Sequence, residues 1–479
     1  MPEETIFQDQ NQTAQGSPTP ILQTEDSPEK QSSKRSVFSK FFSKRLIVFV
    51  LFLISIPAVL FVILNIILPQ FIKPTDREVT LSYWGIREDE EIISVISDFE
   101  KENPNIKVIY SKQDPTDYRE KLSTRIENGT GPDIFKFHNS WFPLLANELL
   151  PLPQEVIDKK QFMDSFYEVS QRDLIRSGAI YGIPSEVDTL ALFINTKIFS
   201  DASSELGTTI EPPSTWQDFI DSSVSLTKKD ESGKIVIAGA ALGTFENITN
   251  APDIISLLFA QNGVDFDNLE AYEDKIADAL TFYTNFSLIE TNVWDSTLEP
   301  SINEFSQGKL AMFFGYARDY FEIKKKNPDL AFKIVAVPQL LASSNRNIAS
   351  YWVGGVSAKS KNQKEALLFM KYLAKKETAQ KLFEEQSKAR SIGMPPGNKN
   401  IAQELRNTGI NVFVDQANTA VSSAFVDGLP PNGLNDILNN ILKDAVGEIL
   451  DRGSAESAAR SLLEGYSQVM SQFSPVPTE

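Results

Sequence analysis

The stretch GTGPDIFKFHNSWF, residues 129–142, ends one helix pattern and begins a strand pattern. Its two glycines and its proline interrupt the helix, because both residue types are unfavourable inside one. Residues 133–137 then predict a strand, and polar and aromatic side chains follow it directly. In open α/β sheets, ligands bind beyond the carboxyl ends of the strands. The residues that follow this strand are therefore candidates for a binding site.

The chain on both sides of this stretch alternates between strand and helix patterns. Residues 79–83 and 106–110 predict strands, and helix patterns follow them at 92–99 and 117–128. Further strands are predicted at 179–183, 190–195, 235–239, 309–314, 332–337 and 351–358. Further helices are predicted at 215–226, 251–262, 272–286 and 361–373, and the chain is mainly helical from about residue 401. This alternation predicts an open, largely parallel sheet.

Residues 46–68 form an uncharged apolar run of 23 residues. At about 1.5 Å rise per residue, a helix of this length spans a hydrocarbon core of about 30 Å. Five basic residues lie before the run, which predicts a cytosolic N-terminus and an extracytoplasmic remainder. A cleaved signal peptide would have a shorter apolar core and a small-residue cleavage site. The sequence thus predicts a single-pass cell-membrane anchor in contact with lipid, after a disordered cytosolic tail (1–45) and before a linker (69–78).

Composition excludes several classes of site. The sequence has no cysteine and one histidine, His138, so disulfides, thiolate catalysis and a multi-histidine metal site are ruled out. Acidic and basic side chains balance in residues 1–45, so the net charge of −18 lies beyond them. An acidic extracytoplasmic part disfavours nucleic acid as a partner. No metal, cofactor or catalytic residue is predicted.

Five segments in order resemble the bacterial extracellular solute-binding proteins of the maltose-binding-protein-like class, the receptors of ABC importers. They are GTGPDIFKFHNSWF (129–142), AIYGIPSEVDTLALFINTKIF (179–199), PPSTWQDF (212–219), FSQGKLAMFFGY (305–316) and YWVGGVSAKSKNQKEALLFMKYL (351–373). The resemblance covers roughly residues 78–470. It implies a two-lobed α/β fold of the periplasmic-binding-protein type II, with a ligand cleft between the lobes. One lobe would comprise 79–187 and 338–388, and the other 188–337 and 389–475.

The resemblance also implies a function. A sugar or oligosaccharide would be bound by hinge closure and passed to the permease subunits of an ABC importer. Aromatic rings would cover the apolar faces of the sugar, and polar side chains would bind its hydroxyl groups. The predicted ligand-binding residues are Trp84, Glu88, Phe137, Ser140, Trp141, Asp188, Asn247, Asn250, Tyr316, Trp352, Gly354 and Asn432. Trp84, Trp141, Tyr316 and Trp352 are expected to line one cleft.

Several of these residues have a plainer interpretation. Trp84 could pack in a core, and the negative charge of Glu88 could stabilise the start of a helix. Asp188 could make a hydrogen bond at the hinge. Asn247 and Asn250 could cap the helix that follows them. Among residues outside the set, His138 is expected to pack and hydrogen-bond, and Trp216 is expected in a core. Arg87 is a further candidate contact beside Glu88, and Arg318 could pair with Asp319 or Glu322. Trp141 stands where the family can have an arginine.

Two rival functions remain open. A solute sensor would pass closure to a membrane signalling partner, although the N-terminal tail shows no recognisable signalling domain. A glycan-active enzyme would need paired carboxylates such as Glu88 and Asp188 about 5–9 Å apart. In a chain with 64 acidic residues such pairs arise by chance, so their presence is a weak signal. Neither a P-loop nor a G-x-G-x-x-G motif is present, which leaves nucleotide binding unsupported.

Overall fold

The computed structural model describes Phe61 and residues 78–288, 292–340, 345–390, 392–426 and 434–472. The chain divides into two compact units, residues 1–76 and 77–479, and the fold below is that of the second unit. No helix among the described residues is long and apolar enough to cross a bilayer. The predicted anchor at 46–68 lies, apart from Phe61, outside these residues, and so do the predicted tail and most of the linker.

The first sheet begins with three parallel strands, as the alternation predicts. They are β1 (Val79–Gly85), β2 (Ile106–Lys112) and β3 (Ile134–His138), with β1 in the middle. Helices α1 (Ile93–Glu102) and α2 (Tyr118–Glu127) connect them. Leu81 and Tyr83 of β1 face the core because side chains alternate along a strand. All three predicted strands and both helices are confirmed within a few residues.

A segment of short elements leads from this sheet to the second. It comprises α3 (Phe142–Leu145), α4 (Lys159–Ser165), α5 (Glu168–Leu174), β4 (Ile175–Arg176), β5 (Ala179–Ile180), β6 (Ile183–Pro184) and β7 (Asp188–Thr189). The strand predicted at 179–183 is therefore two short strands, β5 and β6. An aspartate cap with a reciprocal glutamine bond fixes the start of α4 at Asp158.

The second sheet has the strand order β12-β8-β11-β10-β9. Its strands are β8 (Ala191–Asn195), β9 (Lys228–Lys229), β10 (Ile235–Ala240), β11 (Leu310–Gly315) and β12 (Phe332–Val335). The helices around it are α6 (Thr196–Leu206), α7 (Trp216–Leu226), α8 (Ala251–Gln261), α9 (Glu273–Leu288), α10 (Ser301–Ser306) and α11 (Ala317–Lys326). Only the β10–β11 pair is parallel among the four described pairs. The prediction of a largely parallel sheet is wrong here, because β8 enters directly from β7 and runs opposite to its neighbours.

The chain then returns to the first sheet. The returning elements are β13 (Asn347–Ser350), β14 (Trp352–Val356), α12 (Gln363–Leu373) and α13 (Lys376–Arg390). The remaining elements are α14 (Lys399–Leu405), α15 (Asn411–Ala417), β15 (Ala420–Val421), α16 (Leu434–Leu450) and α17 (Ala455–Met470). Strand β14 lies between β3 and β6 and gives the first sheet the order β2-β1-β3-β14-β6.

Strands β7, β13 and β15 form a separate three-stranded sheet where the chain crosses between the two larger sheets. Strand β13 pairs antiparallel with β7 and parallel with β15. Two chain crossings, one before β8 and one before β14, thus lie side by side. We call it the hinge sheet, because both chain crossings between the two larger sheets run through it.

The second lobe has an aromatic core beside its sheet. Trp216 contacts the rings of Phe219, Phe282 and Phe314, with centroids 5.3, 5.3 and 6.0 Å away. Its indole nitrogen donates to Gln261 Oε1 at 2.6 Å. Burying a large apolar side chain stabilises the fold by about 1.5–3 kcal/mol. The prediction that Trp216 is a core residue is confirmed.

Candidate functional site

An aromatic cluster lies at the carboxyl end of β3. It consists of Tyr118, His138, Trp141 and Trp352. Trp141 and Trp352 meet edge to face with centroids 5.2 Å apart, and the His138 ring lies 5.6 Å from Trp352. Tyr118 lies 5.9 Å from Trp141 and 6.3 Å from Trp352. The β3–β14 register produces this arrangement, because it places Trp352 directly opposite His138.

His138 is a hydrogen-bonded member of this cluster, as predicted. Its Nδ1 lies 2.8 Å from Ser140 Oγ, and its Nε2 lies 3.0 Å from Ser350 Oγ. The ring is fully buried, and burial together with the nearby Arg318 guanidinium lowers the pKa of His138 to about 3. The imidazole is therefore neutral at physiological pH, and it orders two hydroxyl groups without adding charge.

A polar cluster stands at the start of α11 in the second lobe. It consists of Asn250, Asp253, Tyr316, Arg318 and Asp319. The Tyr316 hydroxyl donates to Asp253 Oδ1 at 2.5 Å, and the Arg318 guanidinium lies 4.3 Å from the Tyr316 ring centroid. Asn250 Nδ2 donates to Asp319 Oδ2 at 3.1 Å. Arg318 Nε lies 4.0 Å from Asp319 Oδ1, so the predicted pairing of Arg318 with Asp319 is present at the limit of an ion pair.

Asp188 connects the hinge sheet to this polar cluster. Its Oδ1 accepts from the backbone N–H of Ala317, the first residue of α11, at 3.1 Å. A carboxylate at a helix N-terminus is favoured by the exposed N–H groups there. Burial raises the pKa of Asp188 to about 7, although Arg318 acts in the opposite direction. Asp188 Oδ2 is buried and has no hydrogen-bond partner among the described residues.

Ser350 joins the two clusters. Its hydroxyl lies 3.0 Å from His138 Nε2 of the first lobe and 3.2 Å from Arg318 Nη1 of the second. Ser350 is also paired with Asp188 across the β7–β13 ladder. The aromatic cluster and the polar cluster, joined by Ser350 and Asp188, are called the interlobe cluster below. Aromatic faces next to hydrogen-bonding carboxylates and hydroxyls suit a ligand with apolar C–H faces and many hydroxyl groups.

Half of the predicted ligand-binding residues lie in or against this cluster. They are Ser140, Trp141, Asp188, Asn250, Tyr316 and Trp352. Asn250 occupies the position before α8, but its side chain makes no capping hydrogen bond there. Trp141 and Tyr316 are both fully buried. Among the described residues no ring contact joins Tyr316 to either tryptophan, so within the interlobe cluster the two lobes meet through Ser350 and not through stacked rings.

Among the described residues, the side chains of Trp84 and Glu88 make no ring contact or hydrogen bond with the cluster, although the Tyr118 hydroxyl lies 3.4 Å from the backbone oxygen of Trp84. Trp84 is half-buried on β1, and Lys121 Nζ of α2 lies 5.5 Å from its ring centroid. Within the described part of the chain it has no ring contact with the other three aromatics, so the expectation that the four rings line one cleft stays a prediction. Glu88 is exposed and pairs with Lys112 Nζ at 2.5 Å. Its neighbour Arg87 is buried and pairs with Glu91 and Glu186.

Three other predicted residues have structural roles. Phe137 is fully buried in the first-lobe core, and a Cβ added at Gly355 would lie 3.0 Å from its ring. Gly354 lies inside β14, where an added Cβ would make ordinary contact with Met370. Asn247 donates to the carbonyls of Asp295 and Leu298, which holds a loop in place. Side chains alternate along β3, so Phe137 points to the opposite side from His138. Phe137 therefore lies in the core and not in the interlobe cluster. Asn432 lies outside the described residues.

Three members of the interlobe cluster were not predicted. They are Tyr118, Asp253 and Ser350. Tyr118 and Asp253 stand in the first turns of helices, where a tyrosine or an acidic residue has no functional signature. Ser350 precedes a predicted strand by one residue. Their partners in the cluster are 23 to 234 positions away in sequence, so no local pattern indicates their contacts.

Comparison with known proteins identifies the family and the fold of this chain. Residues 84–380 match the family model for bacterial extracellular solute-binding proteins. A binding protein of Brucella abortus (strain 2308) is 22% identical over 351 residues, which covers 68% of this chain and 76% of that protein.

Two solved structures share the fold. One is an ABC transporter solute-binding protein of Thermotoga lettingae TMO bound with α-D-tagatose, with a TM-score of 0.64 and 20% identity over 82% of this chain and all of that one. The other is the GacH receptor of Streptomyces glaucescens GLA.O, solved unliganded and with acarbose, with a TM-score of 0.63 and 17% identity over 83% of this chain and all of that one. The predicted two-lobed α/β fold is confirmed. The chain belongs to the family of bacterial extracellular solute-binding proteins, which bind solutes and are not enzymes.

Proposed function

We propose that this protein is an extracytoplasmic receptor that binds a carbohydrate-like solute at the interlobe cluster. The observation that carries the proposal is the contact of Ser350 with both His138 and Arg318, because it brings groups from both lobes to one point beside the hinge. A solute bound there would touch both lobes. Binding would then favour the closed arrangement of the hinge over an open one.

The chemistry of the cluster supports a neutral, polyhydroxylated solute. Trp352 keeps a small exposed area beside the buried Trp141, and Asp188, Asp253 and Asp319 carry acceptor oxygens. Trp141 Nε1 is a buried donor with no acceptor among the described residues, and Asp188 Oδ2 is a buried acceptor with no donor there. Such groups are costly unless a partner such as a hydroxyl satisfies them. The tagatose and acarbose bound by the two related folds are consistent with this solute class.

We further propose the cellular setting that the sequence predicts. The apolar run at 46–68 would anchor the protein in the cell membrane, with the N-terminus in the cytosol. The solute would pass to the permease subunits of an ABC importer. We also propose a division into two lobes. One lobe comprises residues 79–187 and 338–388, and the other comprises residues 188–337 and 389–475. Near the proposed boundary at residue 389, Pro396 and Asn398 make backbone bridges to Glu186 and Phe166 of the first lobe.

A thermal-shift screen of the full-length protein in mild detergent tests the proposed function. Neutral monosaccharides and oligosaccharides would be compared with amino acids and nucleosides. A solute that binds only the folded state stabilises it by about 2.7 kcal/mol at 100 times its Kd. We expect one or more sugars to raise the melting temperature. Stabilisation by a non-sugar compound alone would contradict the proposed solute class.

Membrane fractionation tests the proposed anchor. We expect the native protein to stay in the membrane fraction after a high-salt wash, with residues 79–479 open to external protease. A native N-terminus beyond about residue 66 would contradict the anchor, because a signal peptidase would then have removed it. The genes next to this one would separate an importer receptor, expected beside two permeases, from a sensor, expected beside a kinase or regulator.

A further inference from the structure

A second contact between the lobes lies away from the interlobe cluster. Arg390, which ends α13 and bonds to Glu91 of the first lobe, has its guanidinium carbon 5.7 Å from the ring centroid of Phe321 on α11 in the second lobe. A guanidinium within about 6 Å of an aromatic centroid is attracted to the ring face. Phe321 is 37% exposed, so this ring is not held in a core. Its contact with Arg390 therefore depends on how the lobes are arranged.

Arg390 is held in position by a buried glutamate. Its Nε and Nη2 lie 2.7 and 2.6 Å from Glu91 Oε1, and Glu91 is 1% exposed. Two charge-assisted hydrogen bonds to one carboxylate fix both the position and the plane of a guanidinium. A free surface arginine samples many rotamers. Arg390 instead holds the face of its guanidinium at a fixed place.

The same glutamate connects this contact to the first chain crossing. Arg87 Nη1 lies 3.0 Å from Glu91 Oε2, and its Nη2 pairs with Glu186. Glu186 is 2% exposed and lies two residues before Asp188 in the interlobe cluster. Two arginines and two glutamates thus form a continuous network from the crossing to the edge of the second lobe. The nearby Lys136 bonds to Ser185 of the same crossing.

We infer that Glu91, Arg390 and Phe321 form a latch that holds the two lobes together. Helix α11 carries Ala317 and Arg318 of the interlobe cluster at its start and Phe321 one turn later. Helix α11 carries the second lobe's groups that would contact the solute. The latch therefore holds α11 against the first lobe at a second point, in addition to the interlobe cluster. Arg390 and Phe321 act as positioning residues, because they set the distance between lobes without touching the cluster.

The absence of cysteine allows a direct test in the full-length protein. Thr124 on α2 and Ser204 on α6 are exposed, one on each lobe, and both would be replaced by cysteine and spin-labelled. Pulsed electron paramagnetic resonance would then give the distribution of distances between the lobes. The test variants are Arg390→Ala and Phe321→Leu. The matched control is Lys388→Ala, which removes an exposed cation of the same helix that pairs with Glu385.

With no solute added, we expect one narrow distance for the parent protein and for Lys388→Ala. We expect both test variants to add a population at longer distance. Glu91 is not substituted in this experiment, because removing one partner of a buried ion pair destabilises the fold itself. Phe321→Leu alters an exposed position and keeps the protein folded, so it tests the latch even if Arg390→Ala lowers stability. Distributions unchanged in both test variants, or a parent distribution as broad as theirs, would overturn the inference. No solute takes part, so this result is independent of the proposed solute class.

Discussion

The indole rings of Trp141 and Trp352 meet edge to face at 5.2 Å, with an angle of 81° between their planes. Trp141 is fully buried, whereas Trp352 retains 9% of its exposure. The pair therefore belongs partly to the first-lobe core and partly to the interlobe cluster. Aromatic pairs in this geometry stabilise by about 0.5–1.5 kcal/mol beyond their area burial.

Truncation of Trp141 should mainly reduce stability. We expect Trp141→Ala to lower the free energy of unfolding by about 3–5 kcal/mol, because a fully buried ring leaves a cavity. Urea denaturation followed by circular dichroism measures this change. Trp84→Ala is the matched control, since Trp84 is half-buried and its ring contact is with Lys121. An equal loss of stability in both variants would show that the buried pair has no special role.

Asp188 should make stability depend on pH. Its pKa rises from an ordinary 3.8 to about 7 through burial, so between these values the folded state holds a proton that the unfolded chain has released. Stability therefore falls as pH rises through this range. An asparagine side chain cannot ionise, so we expect Asp188→Asn to gain melting temperature over the parent at pH 8 and much less at pH 5. A difference that is the same at both pH values would contradict this account.

Arg318 should protect the buried carboxylates of its cluster. Burial raises the pKa values of Asp188, Asp253 and Asp319, and Arg318 opposes each rise. We expect Arg318→Gln to lower the melting temperature more at pH 8 than at pH 5, because ionised carboxylates lose their compensating cation. Lys324→Gln on the same helix is the control, and it should show no such pH dependence. A larger loss for Arg318→Gln at pH 5 would reverse the proposed electrostatics.

Two glycines should respond in opposite directions to alanine. A Cβ at Gly239 would lie 1.8 Å from the carbonyl oxygen of Ser223, whereas a Cβ at Gly447 in α16 would meet nothing within 4 Å. We expect Gly239→Ala to cost about 1–3 kcal/mol or more through overpacking. We expect Gly447→Ala to gain about 0.5–1 kcal/mol, because alanine is favoured over glycine inside a helix. Chemical denaturation of both variants checks the pair, and a gain at Gly239 would contradict the packing.

Periodicity in the sequence was enough to predict most long elements, since β1, α1, β2 and α7 depend on local apolar patterns. It did not predict β13 as a hinge strand, because four buried residues carry no alternation. The site was harder. Asp188 and Ala317 are 129 positions apart, and His138 and Ser350 are 212 apart. Such contacts depend on how the two chain crossings bring the lobes together, which no local pattern encodes. Phe137 shows that nearness in sequence can also mislead. It is the neighbour of His138 in sequence, and strand alternation therefore places it on the opposite face of β3.

Hydrogen–deuterium exchange of the full-length protein, with and without the most stabilising sugar, tests the central claim most directly. If the solute binds at the interlobe cluster, amides around residues 138–141, 316–319 and 350–352 should all become protected together. These three segments belong to the first lobe, the second lobe and the hinge region. Protection confined to one lobe, or located at a surface remote from Ser350, would contradict binding between the lobes.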